Sequence, residues 1–270
     1  MRRIGIDVGG STLRVGEVDV ATGALLGAVD AIPMPTGARP HDVLQALAAS
    51  PALRAGEGPI GLAFPSVAQH GVARTAANVD RSWIDLDVAA AFTRLTGRPT
   101  VFVNDADAAG LAEVRLGAGR ALTAAAAADG PPASRIIVLT FGTGIGTALF
   151  LDGRLWPNTE LGHLMLPGVT DTDGEGWAAA SVRTRLALDW SAWTRRVNDY
   201  LQELHRLLWP DVFIVGGAVS EHAAEWVPML QSRARIVPAA LRGHAGVVGA
   251  ALAAADAGTA SATAGAGDAG

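Results

Sequence analysis

The 270-residue sequence contains neither cysteine nor lysine. The first absence excludes disulfide frameworks and thiolate zinc sites. The second excludes a P-loop of the G-x-x-x-x-G-K-[ST] type and a lysine Schiff base. Phosphate, if this chain handles it, must be met by arginine, backbone N–H groups or a metal. The arginine-only basic set accompanies abundant alanine and glycine and reads first as codon bias toward GC-rich triplets. A basic excess is missing too: the formal net charge is −5, which argues against a nucleic-acid partner. No apolar run approaches the roughly 20 residues needed to span a bilayer. Two arginines near the N-terminus lead straight into a strand-like pattern, with no signal-peptide core or small-residue cleavage site. No membrane association and a cytoplasmic location are therefore expected.

What is present is apolar: half of the residues are hydrophobic, enough for one large core or two smaller ones. Arg3 to Val8 reads as a strand that opens into Gly9-Gly10-Ser11-Thr12, and Leu13 to Asp19 alternates apolar and polar residues as a second strand. A third strand is predicted over Leu25 to Ile32, a helix from Pro40 to about Ala49, and a buried strand over Pro59 to Phe64. Asp87 to Leu95 reads as a helix ended by Gly97, and Pro99 to Val103 as a strand delivering Asn104 and Asp105. A similar plan then restarts. A helix over Asp107 to Leu116 precedes a strand over Arg135 to Thr140, the turn Phe141-Gly142-Thr143-Gly144-Ile145-Gly146-Thr147, and a strand over Ala148 to Leu151. A tryptophan-bearing helix (Asp189 to Leu208), a strand entering Gly216-Gly217 (Asp211 to Val215) and an alanine-rich helix (His244 to Asp256) complete the pattern. Strand, glycine turn and strand thus occur twice, about 130 residues apart, which predicts two similar α/β halves. Ala121 to Ser134 reads as a surface loop. Residues 258–270 hold too little apolar surface to offset ordering entropy and read as a disordered tail.

Five constellations carry possible chemistry. In Asp7-Val8-Gly9-Gly10-Ser11-Thr12, glycines allow backbone N–H groups to approach a phosphate, and Asp7 could hold Mg²⁺ through water; the plain alternative is a Gly-Gly hairpin. Three glycines alternating with hydroxyls between Thr140 and Thr147 exceed what a hairpin needs, and two such turns point to a clamp on a charged ligand. Asn104-Asp105-Ala106-Asp107 sits at a strand C-terminus, where α/β folds place their ligands. There Asp105 would accept the proton of a hydroxyl attacking phosphorus, and Asp107 would cap the following helix. Glu160 and His163, three residues apart, could grip adjacent sugar hydroxyls, ligate a metal, or form a buried pair of no consequence. Ala77 to Trp83 reads as a turn with a core tryptophan, or as one wall of a sugar pocket.

Together these stretches resemble the ROK sugar kinases, and within them the actinobacterial polyphosphate-dependent branch. The resemblance runs from Ile4 to about Ala254. It rests on Gly5 to Ser11, Arg74 to Asp80, Asn104 to Glu113, Thr140 to Gly146, Pro157 to Leu164, Trp209-Pro210-Asp211 and Val237 to Leu241. It implies a two-domain actin/hexokinase-like (ribonuclease H-like) α/β fold with an interdomain cleft. The domains would be 1–103, with helix 244–256 returning to it, and 104–243. The implied activity is phosphoryl transfer from polyphosphate, and possibly ATP, to the 6-hydroxyl of glucose, with Mg²⁺ as cofactor and a homodimer as assembly. Asp105 matches the catalytic base. Asn78, Asn104, Asp105, Glu160 and His163 match sugar-binding positions. Asp7, Gly9, Gly10, Ser11 and Thr12, with Thr143, Gly144 and Gly146, match the phosphate loops, and Gly216 and Gly217 the nucleotide turn of ATP-using members. The chain departs from the family at Thr12, Ser66, Met165 and Ala218, at Gly176, which aligns with a sugar-binding glutamate, and in lacking the cysteine-rich zinc motif. Two other activities fit the same residues: an ATP-dependent kinase for another hexose, and a non-catalytic binder of sugar or polyphosphate. A family repressor would carry a helix-turn-helix before the first glycine loop, which here begins at residue 7.

Overall fold

The computed structural model describes residues 1–123 and 133–266, with side chains to residue 258. The chain folds into two units, Met1–Ala112 with His244–Gly270, and Glu113–Gly243. The sequence placed the first boundary at 103/104.

In the first unit, β1 (Arg2–Val8) pairs antiparallel with β2 (Thr12–Asp19). The short strands β3 (Ala24–Leu25) and β4 (Asp30–Pro33) both flank β2. They replace the single strand expected over Leu25 to Ile32, because Gly27 breaks the run between them. Helices α1 (Pro40–Ala48) and α2 (Pro51–Ala55) precede β5 (Ile60–Phe64), a small hairpin of β6 (Ala68–Gln69) and β7 (Val72–Ala73), α3 (Val88–Thr96), β8 (Thr100–Asn104) and α4 (Asp105–Arg115), whose residues from Glu113 on fall in the second unit. The sheet runs β3-β2-β1-β5-β8, with β1, β5 and β8 mutually parallel. Ile4, Ile6, Leu62, Phe64, Phe92 and Trp83 fill one core, where the Trp83 indole donates to the Ala38 carbonyl at 2.8 Å.

In the second unit, α5 (Arg120–Thr123) is followed by β9 (Arg135–Phe141), β10 (Ile145–Leu151), β11 (Arg154–Trp156), α6 (Gly174–Ala178), α7 (Ala180–Arg185), α8 (Trp190–Leu208), β12 (Val212–Gly217), α9 (Ala223–Trp226) and β13 (Arg235–Pro238). The sheet order is β11-β10-β9-β12-β13. Phe141, Trp193 and Trp226 pack edge-to-face around its core, with Trp193 set against Phe141 at 5.6 Å and 85°. Most of the loop expected over Ala121 to Ser134 falls at 124–132, outside the described residues.

The last helix, α10 (Ala245–Ala266), belongs to the first unit. It lies so close to the sheet that a Cβ on Gly5 or Gly61 would collide with the carbonyls of Val247 and Ala250. The sequence ended this helix at Asp256 and assigned 258–270 to a disordered tail. The backbone is helical to Ala266, and 267–270 lie outside the described residues. Among the described residues no helix is long and apolar enough to cross a membrane.

Candidate active site

The first unit gathers its candidate residues on one sheet edge. Register pairs Asp7 with Ala63 and Ala63 with Val103, so the parallel strands β1, β5 and β8 end level with one another. Two interstrand spacings put Asp7 about 10 Å from Val103, on the edge where α/β folds hold ligands. At the end of β1 the Gly9 N–H closes the turn on the Thr12 carbonyl at 3.0 Å. The N–H groups of Gly10 and Ser11 engage no partner among the described residues. Asp7 is held by the Arg14 guanidinium at 3.4 Å and packs against Gly246, where any Cβ would meet its carboxylate. Burial raises the Asp7 pKa, and Arg14 opposes that shift. A mostly buried carboxylate beside a turn with open N–H donors could hold a hydrated divalent cation.

At the end of β8, Asn104 caps α4. Its side-chain oxygen accepts from the N–H groups of Ala106 at 2.9 Å and Asp107 at 3.0 Å, and its amide donates to the Ser66 carbonyl at 3.1 Å. This corrects the sequence assignment of the cap to Asp107, which is a buried residue of the first helical turn. The cap fixes the residue that follows: Asp105 opens α4 at the sheet edge, half-buried, its carboxylate accepting from the Ala106 N–H at 2.8 Å. Asn78, exposed and in the left-handed region at φ 60°, belongs to a separate loop. With Gly10, Ser11, Pro35 and Asp80 it lines a depression of about 560 Å³, so the structure joins Asn78 to the first glycine turn.

The second unit repeats this edge. Gly216 is in register with Thr140, and Gly217 with Phe141. Gly217 takes a φ of 93°, and a Cβ there would press on the Phe141 backbone. In the turn after β9 the Gly142 N–H bonds to the Gly144 carbonyl at 3.0 Å, while the N–H groups of Thr143 and Gly144 have no partner among the described residues. Each unit therefore presents a glycine turn with two open donors, the arrangement that binds anionic oxygens. Ser181 at the start of α7 braces the second turn, its N–H donating to the Gly142 carbonyl and its hydroxyl to the Thr143 carbonyl.

Glu160 precedes and His163 ends a 3₁₀ turn, Leu161–His163, tied to β10 through the hydroxyl of Thr147. His163 Nδ1 lies 2.8 Å from Asp173 and 3.9 Å from Glu175. The His163 pKa is raised, first by its hydrogen bond to Asp173, against a smaller effect of burial. Burial raises the Glu160 pKa, with His163 acting in the opposite direction. Sequence reasoning missed Asp173 and passed over Glu175 in favour of its neighbour. It set Gly176 at the family's glutamate position, yet Gly176 merely donates its N–H to Asp173. It is Glu175 that reaches the glycine turn, accepting from the Ile145 N–H at 3.3 Å. The signal was one residue away: an aspartate N-cap with a glutamate in the first turn of a short helix. The ligand atoms of His163, Asp173 and Glu175 lie within 4.8 Å of one another. The 2.8 Å contact is a hydrogen-bond length and already occupies Nδ1.

The ROK family model matches residues 3–176. Polyphosphate glucokinase of Mycobacterium tuberculosis is 43% identical over 250 residues, covering 92% of this chain and 89% of that protein. The Mycobacterium leprae polyphosphate glucokinase is 40% identical over 255 residues, 93% of this chain and 74% of that protein. The crystal structure of inorganic polyphosphate/ATP-glucomannokinase from Arthrobacter sp. strain KM superimposes with a TM-score of 0.84 at 42% identity, covering 95% of this chain and 99% of that one. A Streptomyces griseus ROK glucokinase solved with glucose and AMPPNP shares the fold, with a TM-score of 0.75 at 21% identity over 93% of this chain and 98% of that one. The architecture is thus the two-domain actin/hexokinase-like fold of sugar kinases. With two glycine turns at two sheet edges, and relatives that align along nine-tenths of its length, the chain belongs to the ROK family.

Proposed function

We propose that this protein transfers a phosphoryl group from inorganic polyphosphate, with ATP as a second donor, to the 6-hydroxyl of glucose. The observation that carries this reading is Asp105. Its carboxylate opens α4 at the sheet edge, fixed by the Asn104 cap, on the same edge as the open N–H groups of the first glycine turn. The relatives' names supply the donor and the sugar.

Asp105 takes the proton of the sugar hydroxyl as its oxygen attacks the terminal phosphorus; the bridging P–O bond breaks and the shortened donor leaves. Asn78, Asn104, Glu160, His163 and Glu175 hold the sugar's remaining hydroxyls. Each unit offers two open N–H groups, those of Gly10 and Ser11 in the first and of Thr143 and Gly144 in the second, as fixed dipoles suited to charge on phosphoryl oxygens. Asp7 would hold Mg²⁺ through water, and the ion supplies charge neutralisation when bound. Gly216 and Gly217 form the turn that would accept a nucleotide. A homodimer in the cytoplasm completes the reading.

The test is a coupled assay of glucose 6-phosphate formation, run in parallel with long-chain polyphosphate and with ATP, and with mannose beside glucose. Turnover of glucose with polyphosphate is expected. Turnover with ATP alone would make the protein an ordinary nucleotide-dependent kinase, and no turnover with either donor would leave a binding protein.

A further inference from the structure

Asp173 is fixed from two directions. One carboxylate oxygen accepts from the Gly176 N–H at 2.9 Å and caps α6, while the other lies 2.8 Å from His163 Nδ1. Helix α6 is itself anchored, since the Arg196 guanidinium lies 4.1 Å above the Trp177 ring and donates to the Trp177 carbonyl. The same helix carries Glu175, 3.9 Å from Nδ1. On the other side of the imidazole, Nε2 has no partner among the described residues, and the side chain is 58% exposed. The groups that act on this imidazole are Asp173, Glu175 and Glu160. Burial, and then the charges of Glu175 and Asp173, raise the pKa of the Tyr200 hydroxyl. Among the described residues no arginine pairs with Asp173 or Glu175.

We propose that Asp173 is the positioning residue of His163, holding the proton on Nδ1 so that Nε2 is presented to a sugar hydroxyl as a hydrogen-bond acceptor. The chemistry follows from the partners. Above its raised pKa the His163 imidazole is neutral, and because an ionised carboxylate can only accept, it carries its hydrogen on Nδ1 and leaves the Nε2 lone pair outward. The Asp173 pKa is lowered: burial alone would raise it, but the hydrogen bonds from His163 and Gly176 outweigh burial and keep the acceptor ionised. The cap on α6 also stops the carboxylate from turning away. This deepens the proposed function and rests on its reading that His163 binds glucose.

Asp173→Asn separates orientation from folding. Asparagine caps a helix as well as aspartate does, so thermal stability is kept. Its single side-chain oxygen cannot accept from both Gly176 and His163 in the present geometry. With that oxygen on the cap, its NH₂ donates to Nδ1 and the imidazole hydrogen moves to Nε2. ¹⁵N NMR of the full-length protein is therefore expected to show neutral His163 as the Nδ1–H tautomer in the wild type and as the Nε2–H tautomer in D173N. The KM for glucose should rise about 10-fold in D173N with kcat within about threefold, as for loss of a binding contact. In a His163→Ala background the same substitution should leave KM unchanged, because the residues act as one unit. An unaltered tautomer in D173N, an equal KM effect in the H163A background, or stoichiometric zinc on the wild-type protein would each overturn the proposal. A glucose KM unaffected by H163A would instead remove the sugar role of His163, whatever the tautomer does.

Discussion

Asp7 and Asp105 end strands of the same sheet, yet their surroundings assign them different work. Asp105 stands half-buried at the start of a capped helix, whereas Asp7 is pressed against Gly246 and α10. Burial raises the Asp7 pKa above its ordinary 3.8, with Arg14 only partly offsetting it. A folded state that binds this proton more tightly than the unfolded chain gains stability below the ordinary value and loses it as pH rises through the folded pKa. At neutral pH the ionised Asp7 therefore weighs against the ligand-free fold. Asp7→Asn is expected to raise the Tm of the free protein at pH 7.5 and to lower kcat about 100-fold through the lost electrostatic contact. A thermal melt beside the coupled assay checks both, and a lower Tm would contradict the burial argument. Asp7 and its glycines were legible in the sequence, because a Gly-Gly turn after an apolar strand has few structural explanations. The Asn104 cap was not, since three of the four residues from 104 to 107 can cap a helix and only the side-chain geometry chooses among them.

At the scale of elements, the buried carboxylate of Glu113 fastens the C-terminal half of α4 to the segment that follows β13. It accepts from the N–H groups of Ala118 at 3.0 Å, Ala240 at 3.0 Å and Leu241 at 2.7 Å. Glu113→Ala leaves three donors without their acceptor and should cost about 3–5 kcal/mol, read as a drop in urea midpoint at unchanged m-value. Glu113→Gln keeps one acceptor oxygen and should cost about half as much. Loss below about 1 kcal/mol in Glu113→Ala would mean that the loop finds other partners. Helix α3 was readable because its ends are local: Asp87 accepts from the Ala90 N–H, and Gly97 leaves the helix at φ 66°. Helices α6 and α7 and the β6–β7 hairpin were not. Elements of two to six residues are too short to show a period, and α6 is defined by what it packs on, the Arg196–Trp177 stack and the Tyr200 ring beneath Gly174. That is also why the sequence alone set Gly176, not Glu175, at the family's glutamate position.

For the whole molecule the governing tension is charge: a chain of net −5 is proposed to bind a polyanion. Any basic track must be local, with Arg14, Arg115, Arg120 and Arg135 as its candidates. Arg135 starts β9, about 20 Å of strand away from the glycine turn, and is bonded to Asp211 at 3.1 Å. Arg14 stays beside the first turn, and Arg115 and Arg120 are exposed. Binding by several arginines releases counterions, so the KM for long-chain polyphosphate should rise steeply between about 50 and 200 mM salt, by about 10-fold or more, while the KM for ATP changes less. Parallel slopes would place the two donors on the same few contacts. The most direct measurement compares wild type and Asp105→Asn in glucose 6-phosphate formation from polyphosphate, with glucose affinity measured beside it. A general base accounts for about 100- to 10,000-fold in rate, so kcat should fall within that range while glucose affinity stays within a few-fold. An Asp105→Asn protein that keeps more than about a tenth of the wild-type kcat would contradict the assignment of Asp105 as the base.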